Sequence, residues 1–412
     1  QSMMDSDPPG PVYLTLPREA LAGTVDENAV HSFPESRYGA VAAGGCDAAT
    51  ARELAERLMS AEHPIAITSY LGRKPEAPGV LDALARECGI AVFESHSFHV
   101  NISRESPCFA GFEPGHGLQE ADVGLLLDVD VPWLPQFVKE NPRTFWIQVD
   151  VDAIKKDFPM WGFPAELRMQ GDCATVLGQV LEIVRARGDP SFRARVAARM
   201  KRLDAAREKR EQAVAAAGAR PGERGAISPD YLCAALAKVI GPDDIVINEA
   251  IRNSLSVMNQ IHRTRPQTLL GNGGSGLGFS GGMALGVKLA RPNRRVVQIV
   301  GDGSFHFSTP DSVYSVAREY RLPIFTVVLD NGGWGAVKAS TLRVYPKGVA
   351  AQADHFNARL GGERRFEQVA QAFGAFGESV DEPGALDGAI ERCIAAVDGG
   401  QSAVLAVKVT PI

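Results

Sequence analysis

The 412-residue sequence is short of several features that would fix its class at once. Its six cysteines (Cys46, Cys88, Cys108, Cys173, Cys233 and Cys393) are scattered, with no CxxC pair. That spacing speaks against a disulfide framework and for reduced thiols, as in a cytosolic enzyme. No apolar run is long enough to span a bilayer, and no signal-peptide pattern is present. Positive charge is not in excess. The formal net charge of −6 gives no general attraction to nucleic acid or to an anionic membrane. What is there is ordinary globular material, 45% hydrophobic and 22% charged, long enough for two or three domains with sizeable cores.

The chemistry concentrates between Arg295 and Lys338. Val296 to Val300 is a β-branched apolar run that stops at Gly301-Asp302-Gly303, which reads as a buried parallel strand ending in a tight turn. Residues 311 to 320 suit a crossover helix, stopped by Pro323. Ile324 to Leu329 is a second buried strand, and it ends at Asp330-Asn331-Gly332-Gly333. The unit is βαβ, with a carboxylate at the C-terminal end of one strand and a carboxamide at the end of the next. Ligands of open α/β sheets bind at those ends. Oxygen ligands beside Gly-rich backbone suit a hard cation such as Mg²⁺, which phosphate oxygens usually complete. The residues by themselves therefore point to a Mg²⁺-diphosphate site. The alternative is a purely structural βαβ unit with ordinary turns.

Elsewhere the pattern alternates. From Asp47 a helical passage leads to the strand Pro64 to Thr68, then a helix from Gly79 to Glu87. Strands follow at Ile90 to Phe93, Val123 to Val129 and Phe145 to Val149, so a doubly wound unit is expected over about 46–185. His96 and His99 at a strand end could bind metal, but no third ligand stands at a convincing spacing, and a structural role is favoured. Ser191 to Ala216 reads as a surface helix with a buried stripe of Phe192, Val196, Met200 and Leu203 and a solvated charged face. Pro221-Gly222 ends it. Ser228-Pro229-Asp230 opens a further helix, and Asp244 to Ile247 is a strand. Gly271, Gly273 and Gly276 satisfy GxGxxG, which suggests a dinucleotide fold. The next strand, however, ends in GDG and not in an isolated ribose-binding acid.

The GDG turn, residues 304 to 329 and a pair closing in Asn331 resemble the signature of thiamine diphosphate-dependent enzymes, whose usual closing pair is Asn-Asn. Here Asp330 replaces the first Asn and brings an extra negative charge. The resemblance is to the acetolactate synthase and benzoylformate decarboxylase group. It implies two doubly wound parallel-sheet domains plus the remnant of a third, N-terminal α/β domain. The expected division is 1–45 for the end of a pyrimidine-binding domain and linker, 46–185 for a central Rossmann-like domain, 186–225 for a linker helix, and 226–412 for the diphosphate-binding domain. The opening MMDSDPPGPVYLTLPREAL is expected to give a helix end, a turn and one strand, Val12 to Leu16, with most of that first domain missing. The glutamate that activates the cofactor's aminopyrimidine is then expected outside the chain, so no acid–base catalyst is assigned.

By the same resemblance, Asp302 and Asn331 bind Mg²⁺ through their side chains and Gly333 through its carbonyl. Ser275 would accept from the aminopyrimidine through its carbonyl, and Leu277 would be the apolar wedge that bends the cofactor. Gly301, Gly303, Ser304, Phe305 and Trp334 complete the cofactor-binding set, and Ala336 and Val337 shape the substrate pocket. In some branches the central domain holds FAD or ADP; neither is predicted here. The expected activity is cleavage or formation of a C–C bond on a 2-oxo acid, by a cytoplasmic homodimer or homotetramer. A 2-hydroxyacyl-CoA lyase and a non-catalytic cofactor-binding fragment are the alternatives.

Overall fold

Short β-branched runs alternating with helices build two parallel sheets of six strands each. The computed structural model describes residues 1–158, 160–274 and 276–411. The first sheet contains β1 (Pro64–Thr68), β2 (Ala91–Glu94), β3 (Phe109–Gly111), β4 (Val123–Leu127), β5 (Phe145–Asp150) and β6 (Leu167–Gln170). Its strand order is β3-β2-β1-β4-β5-β6, all parallel. Both β1 and β4 are buried along their whole length, as expected of strands covered on two faces. Helices α1 (Ala48–Ser60), α2 (Ala77–Cys88) and α3 (Cys173–Arg187) supply one cover. Each has a sequence-encoded end. Asp47 and Asp172 cap α1 and α3 by accepting backbone N–H bonds, and Gly89, with φ of 64°, closes α2. On the other face Gly124 makes room for Trp146, whose ring lies 2.1 Å from where a Cβ would stand.

The long helix α4 (Pro190–Gly218) leads to the second half of the chain. Phe192 is buried, and Val196, Met200 and Leu203 pack against the first core, so the apolar stripe is real. The charged residues are not all solvated, however. Arg199 is only 2% exposed. It donates to the carbonyls of Leu58 (3.1 Å), Met59 (3.4 Å) and Ala61 at the end of α1, and to Cys88 (2.6 Å) at the end of α2. Helix C-termini leave such acceptors unpaired, and one guanidinium satisfies several of them.

The second sheet contains β7 (Ile245–Glu249), β8 (Leu269–Leu270), β9 (Val296–Gly301), β10 (Phe325–Asp330), β11 (Phe376–Val380) and β12 (Ala403–Lys408). The order is β8-β7-β9-β10-β12-β11, again all parallel. Around the strand ends lie α5 (Phe279–Ala290), α6 (Asp302–Phe307), α7 (Pro310–Glu319) and α8 (Gly335–Val344). The mixed α/β class with two doubly wound sheets is as expected from sequence.

One expectation fails. Val12 to Leu16 forms no strand and pairs with nothing; Tyr13 in its middle is 93% exposed. A lone extended segment gains no ladder hydrogen bonds without a sheet edge to join, and neither described sheet takes it as a strand. Residues 1–45 instead hold short helical turns, including Ser2–Asp5 and Arg18–Ala22.

Candidate functional site

Strand register decides which side chains meet. Val300 of β9 stands opposite Glu249 of β7, and Gly301 stands opposite Leu329 of β10. The C-terminal ends of the three strands are therefore level, and the chain turns there at Asp302 and at Asp330-Asn331. The order reverses between β7 and β9, which is where open α/β sheets place ligands.

Asp302 opens α6 and is 1% exposed. One carboxylate oxygen accepts from the Gly303 N–H (2.7 Å); the other accepts from the N–H groups of Gly332 (2.9 Å) and Gly333 (2.7 Å). A single carboxylate thus ties the GDG turn to the Asn331 turn. Burial pushes its carboxyl up to about 7, against the Gly303 N–H and with the help of the facing Asp330. Asn331 is half-buried, and its side-chain oxygen accepts from Gly333 at 3.3 Å. Gly333 has φ of 146°, and a Cβ there would stand 2.1 Å from the Ala358 carbonyl. Residues 358–360 come so close because Trp334 donates to Ala358 (2.7 Å) and Leu360 donates to Gly332 (2.9 Å).

Asp330 is itself 6% exposed, so its extra charge must be matched. Arg364 does this, with Nε donating to the carboxylate at 2.9 Å and Nη1 to the Leu360 carbonyl at 2.9 Å. The sequence reading missed Arg364. The one available signal was the acid itself, and nothing in the spacing singles out Arg364 among its arginine neighbours.

Gly301 is half-buried and Gly303 and Ser304 are buried at the β9–α6 turn. Gly303 is a glycine for a visible reason: a Cβ would lie 2.4 Å from Trp334 Nε1, and that buried indole N–H has no acceptor among the described residues. Phe305 is turned into the core, edge-on to Phe366 at 5.5 Å, so only its backbone can face a ligand. Leu277 is 38% exposed, and Val337 is 52% exposed beside half-buried Ala336 at the start of α8. Ser275 lies outside the described residues.

Glu249, the last residue of β7, also borders the site. It is fully buried and caps α5, accepting from the N–H groups of Gly278 and Ser280 (2.9 Å) and from the Ser280 hydroxyl. Gly278, with φ of 88°, abuts the Phe307 backbone, which brings the start of α5 against α6. The stretch around His96 and His99 meets the residue after β8: the Phe98 carbonyl accepts from Gly271 N–H at 3.1 Å. His99 is mostly buried, and desolvation followed by the Arg73 charge pushes it down to about 4. It is a neutral packing residue, and no third ligand joins it. Among the described residues no cluster of three His, Cys, Asp or Glu side chains could hold a metal. A cation at Asp302 would therefore depend on carboxamide, carbonyl and ligand oxygens as well.

These donors fit a magnesium-diphosphate group. They are all hard oxygens, and two carboxylates face one another with one guanidinium paired to Asp330, a charge imbalance that a divalent cation relieves. Beyond the Asn331 turn lies a cavity of about 650 Å³, bordered by Gly333, Lys338, His355 and Arg359.

Comparison with known proteins supports a thiamine diphosphate-binding unit. Residues 253–407 match the family described as thiamine pyrophosphate enzyme, C-terminal TPP binding domain. The acetolactate synthase large subunit IlvG of Mycobacterium tuberculosis is 32% identical over 190 residues, covering 46% of this chain and 32% of that protein. The 2-hydroxyacyl-CoA lyase 2 of Caenorhabditis elegans is 25% identical over 371 residues, covering 87% of this chain and 55% of that protein. The crystal structure of benzoylformate decarboxylase from Polynucleobacter necessarius superposes with a TM-score of 0.73 at 17% identity, over 100% of this chain and 73% of that one. The chain thus spans about a third of one of these curated relatives and just over half of the other.

Proposed function

With residues 253–407 placed among the C-terminal TPP binding domains of the thiamine pyrophosphate enzymes, we propose that this protein holds thiamine diphosphate through Mg²⁺ at the ends of β9 and β10 and makes or breaks a C–C bond of a 2-oxo acid. The observation that carries the reading is the buried Asp302 carboxylate, which binds its own turn and the Asn331 turn together.

When bound, thiamine diphosphate supplies a nucleophilic carbon and an electron sink for the reaction. The chain's own part is positioning. Asp302, Asn331 and the Gly333 carbonyl would hold the metal, and the backbone of Gly301, Gly303, Ser304 and Phe305 would border the diphosphate, with Trp334 beside it. Leu277 would press on the cofactor's rings, and Ser275 belongs to the same proposed set. Ala336 and Val337 would form one wall of the substrate pocket. Exposed apolar side chains around these strand ends, Ile251, Leu255, Phe307 and Val337, support a second subunit closing over the site, hence a homodimer or homotetramer. Five of the six cysteines are buried and free, which supports the cytoplasm as the compartment.

The similarity to 2-hydroxyacyl-CoA lyase 2 over 87% of the chain keeps a lyase acting on a 2-hydroxyacyl thioester as the second reading. Titration calorimetry with thiamine diphosphate, with Mg²⁺ and then with excess chelator, tests the first step common to both. Saturable binding that disappears with the chelator is expected. Binding indifferent to the metal, or none, overturns the site.

A further inference from the structure

The first sheet has the strand order of a dinucleotide fold, and its reversal falls between β1 and β4. In such sheets a nucleotide lies beyond the strand ends at the reversal, with its pyrophosphate on a glycine-rich turn and a helix N-terminus. In this chain that crevice is already occupied by side chains. Lys155, 2% exposed, donates to Asp130 (2.9 Å) and to the Tyr70 hydroxyl, and pairs with Asp150 (2.8 Å). The Tyr70 hydroxyl lies 3.1 Å from Asp150 and 3.2 Å from Asp130. Since Tyr70 follows β1, Asp130 follows β4 and Asp150 ends β5, the network crosses all three strand ends.

A second layer closes the mouth. Arg73 pairs with Asp128 and forks onto Asp7 of the N-terminal segment, at 3.2 Å through Nε and 3.1 Å through Nη2. Lys74 bridges the same Asp7 (2.7 Å) and Asp172. Three cations, Arg73, Lys74 and Lys155, are therefore each committed to two carboxylates, and the five carboxylates outnumber them. A pyrophosphate would meet net negative charge with no uncommitted partner in this network. The turn after β1, Ser69 to Glu76, is not glycine-rich, and Glu76, the residue just before α2, makes no side-chain cap bond and sets a carboxylate where an anion would dock. Its one glycine, Gly72, is used for the close approach of the Val100 carbonyl, 2.0 Å from where a Cβ would stand.

We infer that this crevice is closed to flavin and adenine nucleotides by its own ion-pair network, and that it serves as the anchorage of the N-terminal segment through Asp7. The inference concerns the first sheet alone, so it stands or falls independently of the diphosphate site on the second. The protein then uses a dinucleotide-type sheet as a scaffold, and whatever reaction it carries out takes no FAD or ADP from this unit.

The test has two arms. Purified full chain is denatured and its small molecules are identified by mass and absorbance, and FAD and ADP are titrated in calorimetry. No stoichiometric nucleotide and no saturable binding tighter than about 1 mM are expected. Copurified FAD or ADP, or micromolar binding, overturns the closure. In the second arm Asp7→Asn is compared with wild type by limited proteolysis between residues 8 and 46. Loss of the charge on the Arg73–Lys74 clamp should speed cleavage there about tenfold, with the fragment from 47 onward left intact. Equal cleavage rates would overturn the anchorage.

Discussion

Replacing Asp302 by Asn probes the proposed metal site with least damage to the fold. Alanine would strand three buried N–H donors, of Gly303, Gly332 and Gly333, each costing about 1–3 kcal/mol if left unpaired. Asparagine keeps one acceptor oxygen, so at most part of that set is lost, while removal of a buried charge facing Asp330 offsets the loss. The variant should therefore melt within a few degrees of wild type. Its metal affinity should change far more. Deleting one charge from a desolvated ion pair costs about 3–5 kcal/mol, or roughly a hundredfold to several thousandfold in affinity. Calorimetry with Mg²⁺ and thiamine diphosphate reads that loss, and circular dichroism melts supply the control. A dissociation constant within about threefold of wild type, in a protein that melts normally, would refute the assignment of Asp302 as the anchoring ligand.

Leu277→Ala should lower turnover of the active assembly well below its effect on cofactor affinity, because an apolar wedge sets geometry and not charge. The side chain is 38% exposed, so the stability cost should stay below about 1.5 kcal/mol; a larger loss with unchanged turnover would make it a core residue only. Arg199→Leu should destabilise the first-sheet unit by about 3–5 kcal/mol, read as a shift in its urea midpoint, since four helix-end carbonyls lose their donor. His99 gives a pH signature. Its imidazole is held down at about 4 in the fold, against 6.5 unfolded, so its contribution is complete above pH 6.5 and is lost as pH falls toward 4. Between pH 7 and pH 5 this amounts to about 2 kcal/mol, and His99→Phe should remove that part of the acid limb. Parallel urea midpoints for the two proteins at both pH values would count against it.

The sequence was most legible where a strand is buried on both faces. Val296 to Val300 and Ile324 to Leu329 are unbroken apolar runs, and they mark β9 and β10 to within a residue or two. The strands that went unread are short or mixed in polarity. The sequence of β6 is LRMQ and that of β11 is FGESV, and both are edge strands with partly exposed patterns. Neither carries a periodicity that separates it from loop. Helix α6 was hidden for a different reason: it is one and a half turns long and follows the GDG turn directly, so no capping or periodic signal has room to appear. Arg199 escaped because composition classifies a charged helix by its majority, whereas the buried arginine is selected by the two helix ends it meets in space.

Asp330 shows how far a local motif reads and where it stops. The sequence alone said that an extra carboxylate stands beside the proposed metal-binding residues, and electrostatics required that its charge be answered. It could not say by what. The answer comes from the segment that folds back over the Gly332–Trp334 turn, where the chain passes within bonding distance at Ala358 and Leu360 before reaching Arg364. That return path depends on Gly333, because any Cβ would collide with the Ala358 carbonyl. The glycine proposed as a metal ligand is thus also the one that lets the compensating arginine approach. Asp330 is tolerable in this fold because of the backbone at 333, a coupling between positions 330, 333 and 364 that no single motif in the chain contains.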